Sequence, residues 1–249
     1  MEFIPTQIWA IGLVFARIGA FLMLAPGIGD SSVPPRFRLA LALFIAAIIA
    51  PLVSAKLPPL PVDNSGMFAM IFVEVLIGLA IGFSTRILYA ALAIAGTIIG
   101  FQTGLAFAMT IDPAQSTQDS IFSSFLGIVG VVVLLESNVH HWFILGALNS
   151  YNNFAPNGHF PSNIGAQWII ESFSQSFQIA FQMAAPLIVF SIIYNVALGL
   201  INRAAPSIQV FFITQPAQVL FGIFIFMLSI GGGIMLWLNA MMRAAQSLQ

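Results

Sequence analysis

The chain has 249 residues, of which 59% are hydrophobic and 6% charged, and its mean hydropathy is +1.01. A water-soluble domain carries roughly 25% charged residues, so seven basic and eight acidic side chains leave most of the exterior to face lipid or partner helices. The lack of cysteine excludes disulfides, thiolate metal sites and cysteine nucleophiles, and a net charge of −1 without a basic run offers no footprint for nucleic acid.

The opening MEFIPTQIW carries Glu2 where a secretory leader would be positive, so the first apolar run is expected to be retained. Trp9 to Pro26, Phe37 to Val53 and Met67 to Thr85 are each about one crossing long, since a spanning helix needs roughly 17–25 apolar residues. Ile87 to Met109 follows Arg86 with no Gly-Pro or Asn-Gly signal between. The stretch from Met67 to Met109 therefore reads either as two crossings that turn at Arg86 or as one long helix, and the total as six or seven. Ile121 to Leu148, Phe173 to Ile201 and Val210 to Leu238 complete the apolar runs. Arg36 and Arg38 after the first run, against Glu2 before it, favour an external N-terminus; Arg86, Arg203 and Arg243 do not all fall on one side of such a topology. Asn149 to Glu171, rich in Asn, Pro and Gly, reads as irregular chain with Tyr151 and Trp168 at headgroup depth.

Polar and small residues punctuate the apolar runs. Gly78 and Gly82, then Gly96, Gly100 and Gly104, recur every fourth position and form smooth helix faces for close packing, either within the chain or against another subunit. Glu74 lies on the first of these faces, where a carboxylate is costly unless neutral, paired or wet. It reads as a packed, hydrogen-bonded carboxyl or as a proton relay. Pairing with Arg86 along one helix fails, because twelve positions span about 18 Å. Arg17 and Glu136 pose the same problem. His140 and His141 point in different directions on a helix and have no spaced third ligand, so no metal site is expected.

In Glu171 to Gln182 the phenylalanines 173, 177 and 181 share one face and Glu171, Gln175, Gln178 and Gln182 another, as in an interfacial turn or a helix beside an aqueous passage. Pro186 is expected to kink that helix. Asp112-Pro113 ends a helix and Asp119 or Ser120 caps the next, so Ala106 to Ser124 is either a plain connector or a plug over a pore. Arg203 to Gln218 (RAAPSIQVFFITQPAQ) reads as a hairpin tip. Pro206 and Pro216 terminate its ends, Gln209, Gln215 and Gln218 hydrogen-bond nearby backbone or polar groups, and Arg203 sits near a helix end whose carbonyls favour a cation.

PPRFRLALALFIAAIIAP (34–51), EVLIGLAIGF (74–83), GFQTGLAFAMTIDP (100–113) and NRAAPSIQVFFITQPAQVLFG (202–222) together resemble the FliR family of flagellar biosynthesis proteins, shared with type III secretion. The resemblance runs from about Trp9 to Leu238. It implies an all-α polytopic protein of kinked helical hairpins, with a FliP-like part over 1–172 and a FliQ-like terminal hairpin over 173–249. It also implies a non-enzymatic role without cofactor or metal. One FliR-like copy would join FliP-like and FliQ-like subunits, with FlhB-like and FlhA-like components nearby, in a gate in the bacterial inner membrane at the flagellar basal body. Unfolded flagellar proteins pass through that gate. The family's plug loop falls on Ala106 to Ser124, making Phe107, Met109, Ile111 and Phe122 candidates for an apolar seal. Where family members often have a basic residue just after Pro216, this chain has Ala217. The rival reading is an ion-coupled transporter using Glu74, Glu136 and proline-broken helices, which calls for two related halves; no convincing pair is present.

Overall fold

The computed structural model describes residues 3–61, 63–105, 120–156, 162–204 and 210–247. Among these the protein is all-α: α1 (Phe3–Leu24), α2 (Pro35–Val53), α3 (Asn64–Gln102), α4 (Ile121–Glu136), α5 (Val139–Asn153), α6 (Ser162–Ala204) and α7 (Val210–Ser247), with a 3₁₀ turn over Ser54–Lys56. Among the described residues five helices are long and apolar enough to cross a membrane, or six if the bent pair α4–α5 counts as one span. This is a polytopic membrane protein, as the composition requires.

The stretch from Met67 to Met109 is one helix as far as Gln102, and it does not turn at Arg86. The hydroxyls that could disturb its middle bond its own carbonyls, Ser84 Oγ to Ala80 O at 3.0 Å and Thr85 Oγ1 to Gly82 O at 2.7 Å, and Arg86 is answered by an ion pair with Asp30. At 1.5 Å per residue α3 is about 58 Å long and α6 about 64 Å, well beyond the roughly 30 Å hydrocarbon layer. Helix α6 runs on through Pro186 and α7 through Pro216. Pro216 is therefore no terminus: α7 starts at Val210, six residues earlier, and the proline ring only deletes the bond to the carbonyl of residue 212. Between α4 and α5 the chain breaks at Asn138, whose φ of 58° is left-handed, a conformation that asparagine tolerates better than most residues.

The chain forms two compact units. One comprises 1–89, 134–174 and 240–249, the other 90–133 and 175–239. In the first, α1 and α2 form an antiparallel pair closed by Trp9 Nε1 donating to Pro58 O at 3.2 Å, and α3 runs parallel to α1 because Gly78 meets Arg17 and Ala20 while Gly82 meets Phe21 and Leu24. Leu13, Ile18, Leu22, Ile77 and Ile81 fill the core between them. In the second, the end of α3 packs antiparallel on α4, with Gly96 against Ser123 and Gly100 against Ser120. Helices α6 and α7 form an antiparallel hairpin, marked by Tyr194 Oη donating to Thr214 O at 2.6 Å near one end and Met183 against Gly233 further along. The side of α6 that is buried carries Ser176, Ile179, Ala180, Met183, Ala184, Leu187 and Ser191, whereas its phenylalanines 177 and 181 stay exposed.

Candidate functional site

Each unit holds one cluster of buried or half-buried polar groups that joins several helices. In the first unit Arg17 of α1 is fully buried and Glu74 of α3 is 1% exposed. The guanidinium grips the carboxylate with two bonds, Nε to Oε2 at 2.6 Å and Nη2 to Oε1 at 2.9 Å. Nη1 donates to Ser150 Oγ at 3.1 Å and Nη2 also to Phe154 O at 2.9 Å, while the Tyr151 ring lies 3.9 Å under the guanidinium carbon. Bidentate geometry and a planar cation stacked on an aromatic face suit arginine and not lysine. One arginine thus ties α1 to α3 and to the end of α5, and the two opposite charges leave no net charge at the centre.

In the second unit the polar contacts gather where α3 ends and α4 begins. The last turn of α3 closes with Thr103 N donating to Ile99 O at 2.9 Å and Gly104 N to Phe101 O at 3.2 Å. Gly104 has φ +77°, so a side chain there would be strained. Helix α7 lays one stripe of residues over both ends. Gln218 Nε2 donates to Gln102 O at 3.1 Å and Gln215 Nε2 to Gly104 O at 3.5 Å. Gly222 sits against Thr103, and Phe226 takes Phe122 edge-on at 4.8 Å and Phe125 at 6.1 Å. Positions 215, 218, 222 and 226 are spaced three and four apart and so share one helix face. From α4, Ser120 Oγ donates to Gly96 O at 3.2 Å and Ser123 Oγ to Ala93 O at 2.8 Å. Both approaches to the segment between α3 and α4 are therefore held by hydrogen bonds and ring packing.

The model of the family described as bacterial export proteins, family 1, matches residues 8–244. The chain belongs to this family. It is 39% identical to the flagellar biosynthetic protein FliR of Caulobacter vibrioides over 231 residues, covering 93% of this chain and 92% of that one. It is 34% identical to FliR of Bacillus subtilis over 211 residues, 83% and 80% of the two chains. The Yop proteins translocation protein T of Yersinia pestis is 30% identical over 181 residues, 72% of this chain and 67% of that one. The family resemblance read from the sequence is thus borne out, and it reaches across the flagellar and type III secretion branches.

Of the residues singled out in the sequence, Phe107, Met109, Ile111, Pro206 and Gln209 lie outside the described residues. Phe122 is buried against Phe226. The glycines of α3 are close approaches: Gly78, Gly82, Gly96 and Gly100 each lie where a Cβ would come within 3.0 Å of another element. Gln215 is not at a tip but in the second turn of α7, and Arg203 is in the last turn of α6. Ser120 stands at the start of α4, yet its hydroxyl serves Gly96. The ring centroids of His140 and His141 lie 4.1 Å apart with the planes tilted by 39°, and no metal-binding group of three or more His, Asp or Glu occurs among the described residues. Sequence reasoning missed the Arg17–Glu74 pair. Its one available signal was two opposite charges, each about midway along an apolar run.

Proposed function

We propose that this protein is a membrane subunit of a bacterial flagellar export apparatus of the type III class and works as a conduit component, not as an enzyme. The observation that carries the reading is the similarity to the Caulobacter FliR along 93% of this chain and 92% of that one. Its FliP-like part (1–172) and FliQ-like hairpin (173–249) would pack with FliP-like and FliQ-like subunits in the inner membrane at the basal body. FlhB-like and FlhA-like components would stand beside them, and unfolded flagellar proteins would pass through.

In this reading Phe107, Met109 and Ile111, on the segment between α3 and α4, form an apolar constriction that excludes ions by dewetting and yields to a polypeptide. The grip of α7 on Gln102, Gly104 and Phe122 supports it, because a seal needs fixed ends. The test is removal of the gene from its host. Flagellar export stops, and the chain purifies with FliP-like and FliQ-like partners when these are coexpressed. Retained motility together with loss of one small solute would favour a carrier instead. Met109→Gly with Ile111→Gly raises ion leakage while assembly persists; unchanged conductance removes both residues from the seal.

A further inference from the structure

Helix α7 is held on both sides of a bare middle. On one side Gln218, Gly222 and Phe226 are buried against the end of α3 and the start of α4. On the other Trp237, Met241 and Ala245 recur every fourth position, so they share a face, and all of them are fully buried. Between Phe226 and Trp237 no residue is buried, and Met227, Leu228 and Met235 are 68%, 72% and 69% exposed. The bare stretch is about three turns long.

It contains three glycines in a row, Gly231, Gly232 and Gly233. A Cβ on Gly233 would meet the Met183 side chain at 3.3 Å, whereas one on Gly231 or Gly232 would meet nothing within 4 Å. Packing within the chain therefore calls for the last glycine and not for the other two. Nor do Gly231 and Gly232 form a smooth face like that of α3, where the glycines recur every fourth position. Four residues before and after Gly231 stand Met227 and Met235, and around Gly232 stand Leu228 and Leu236, long side chains that keep a neighbouring backbone away. What the pair does is loosen the helix, because each glycine lowers local helix stability about five-fold relative to alanine. Ser229 Oγ donates to Phe226 O at 3.3 Å, and a hydroxyl that bonds a carbonyl of its own helix favours a bend.

We infer that Gly231 and Gly232 are a hinge at which α7 bends while the stretches on either side stay seated. The stretch before the hinge belongs to the second unit, and the residues from Ala240 onward belong to the first. A bend here changes the direction of α7 without breaking the Gln218 bond to Gln102 or exposing Met241. Opening is confined to turns that no tertiary burial reinforces, which is where a helix yields first. The hinge follows from the build of this helix and does not depend on the export reading.

The test is amide hydrogen exchange, read by mass spectrometry on the full-length protein in detergent and again on the chain coexpressed with FliP-like and FliQ-like partners. Relative to their unstructured rates, the amides of 231–236 exchange faster than those of 220–226 and 238–244 in both preparations. Gly231→Ala with Gly232→Ala slows them roughly twenty-five-fold and leaves the flanks unchanged, and Gly231→Ala alone slows them about five-fold. Exchange no faster than in the flanks, or unmoved by the alanines, overturns the inference. So does protection of 231–236 that arises only in the coexpressed complex, or loss of the partners from the double-alanine variant; either result would make the glycines a docking face for a sister helix.

Discussion

Replacing Glu74 with Gln tests the physical argument most directly. The change is nearly isosteric, but it leaves the Arg17 guanidinium charged, fully buried and facing a neutral amide. One of the two bonds to Glu74 can survive on the amide oxygen, and those to Ser150 and Phe154 remain. The lost carboxylate bond and the uncompensated charge together cost about 3–5 kcal/mol, the range for removing one partner of a buried pair. At 1.4 kcal/mol per factor of ten, that is a population shift of roughly a hundred- to several-thousand-fold. Replacing both partners with apolar residues, Arg17→Met with Glu74→Leu, removes the charge together with its counter-charge and is expected to be close to neutral or stabilising. The assay is a double-mutant cycle on purified protein in mixed micelles, read by denaturation midpoints and by steady-state level in cells. If Glu74→Gln matches the wild-type protein, or the double variant loses as much as the single ones add up to, the pair contributes no coupling and the reasoning fails.

The glycines of α3 divide by what surrounds them. Gly78→Ala puts a Cβ 2.1 Å from Arg17 O and Gly96→Ala puts one 2.4 Å from Ser123 backbone, so each loses at least the about 1–3 kcal/mol typical of overpacking, whereas Gly199→Ala, with nothing within 4 Å, gains up to about 1 kcal/mol of helix propensity; thermal midpoints of the three variants rank them. Gln218→Leu strands the carbonyl of Gln102 at a cost of about 1–3 kcal/mol, seen as faster amide exchange at residues 99–104 with no change along α1. Asp63, just before α3, is held below the usual carboxylate range by the Ser65 hydroxyl, then by the backbone N–H of Ser65 and least by that of Gly66, against a desolvation effect smaller than either Ser65 bond. A depressed folded-state value means that its contribution is present above the unfolded value and is lost as pH falls through the folded one. Ser65→Ala therefore raises the Asp63 titration midpoint back towards that of an unperturbed carboxyl, which carboxylate NMR shifts report; an unmoved midpoint refutes the assignment.

Composition alone specifies a membrane-embedded helical protein, because burial of so many apolar side chains with so few charges has no aqueous solution. Helix continuity was harder to read. Arg86 in the middle of an apolar run looks like a turn at a membrane surface, and its pairing with Asp30, 56 positions earlier, removes a reason for the chain to break there. Pro216 misled in the opposite direction. A proline next to glutamines reads as punctuation, yet a helix already begun at Val210 tolerates losing one hydrogen bond while the glutamines on either side bond the end of α3. What local pattern omits in both cases is the partner that a polar group finds across the fold.

The same omission explains how the centre of the first unit stayed hidden although each of its parts was visible. Glu74 and Gly78 share a helix face, and that spacing was legible; what it serves was not, until α1 was in place. Gly78 lets the backbone of α1 come so near that a single methyl group would collide with Arg17 O. The arginine whose carbonyl occupies that gap is the one whose side chain reaches Glu74. Close approach and charge neutralisation are therefore one device: without the glycine the helices would stand further apart, and the short bidentate contact that makes both ions tolerable in a low-dielectric interior would be lost. A carboxylate four residues before a glycine, in a chain with one arginine at matching depth in a neighbouring apolar run, carries more structural information than either residue read alone.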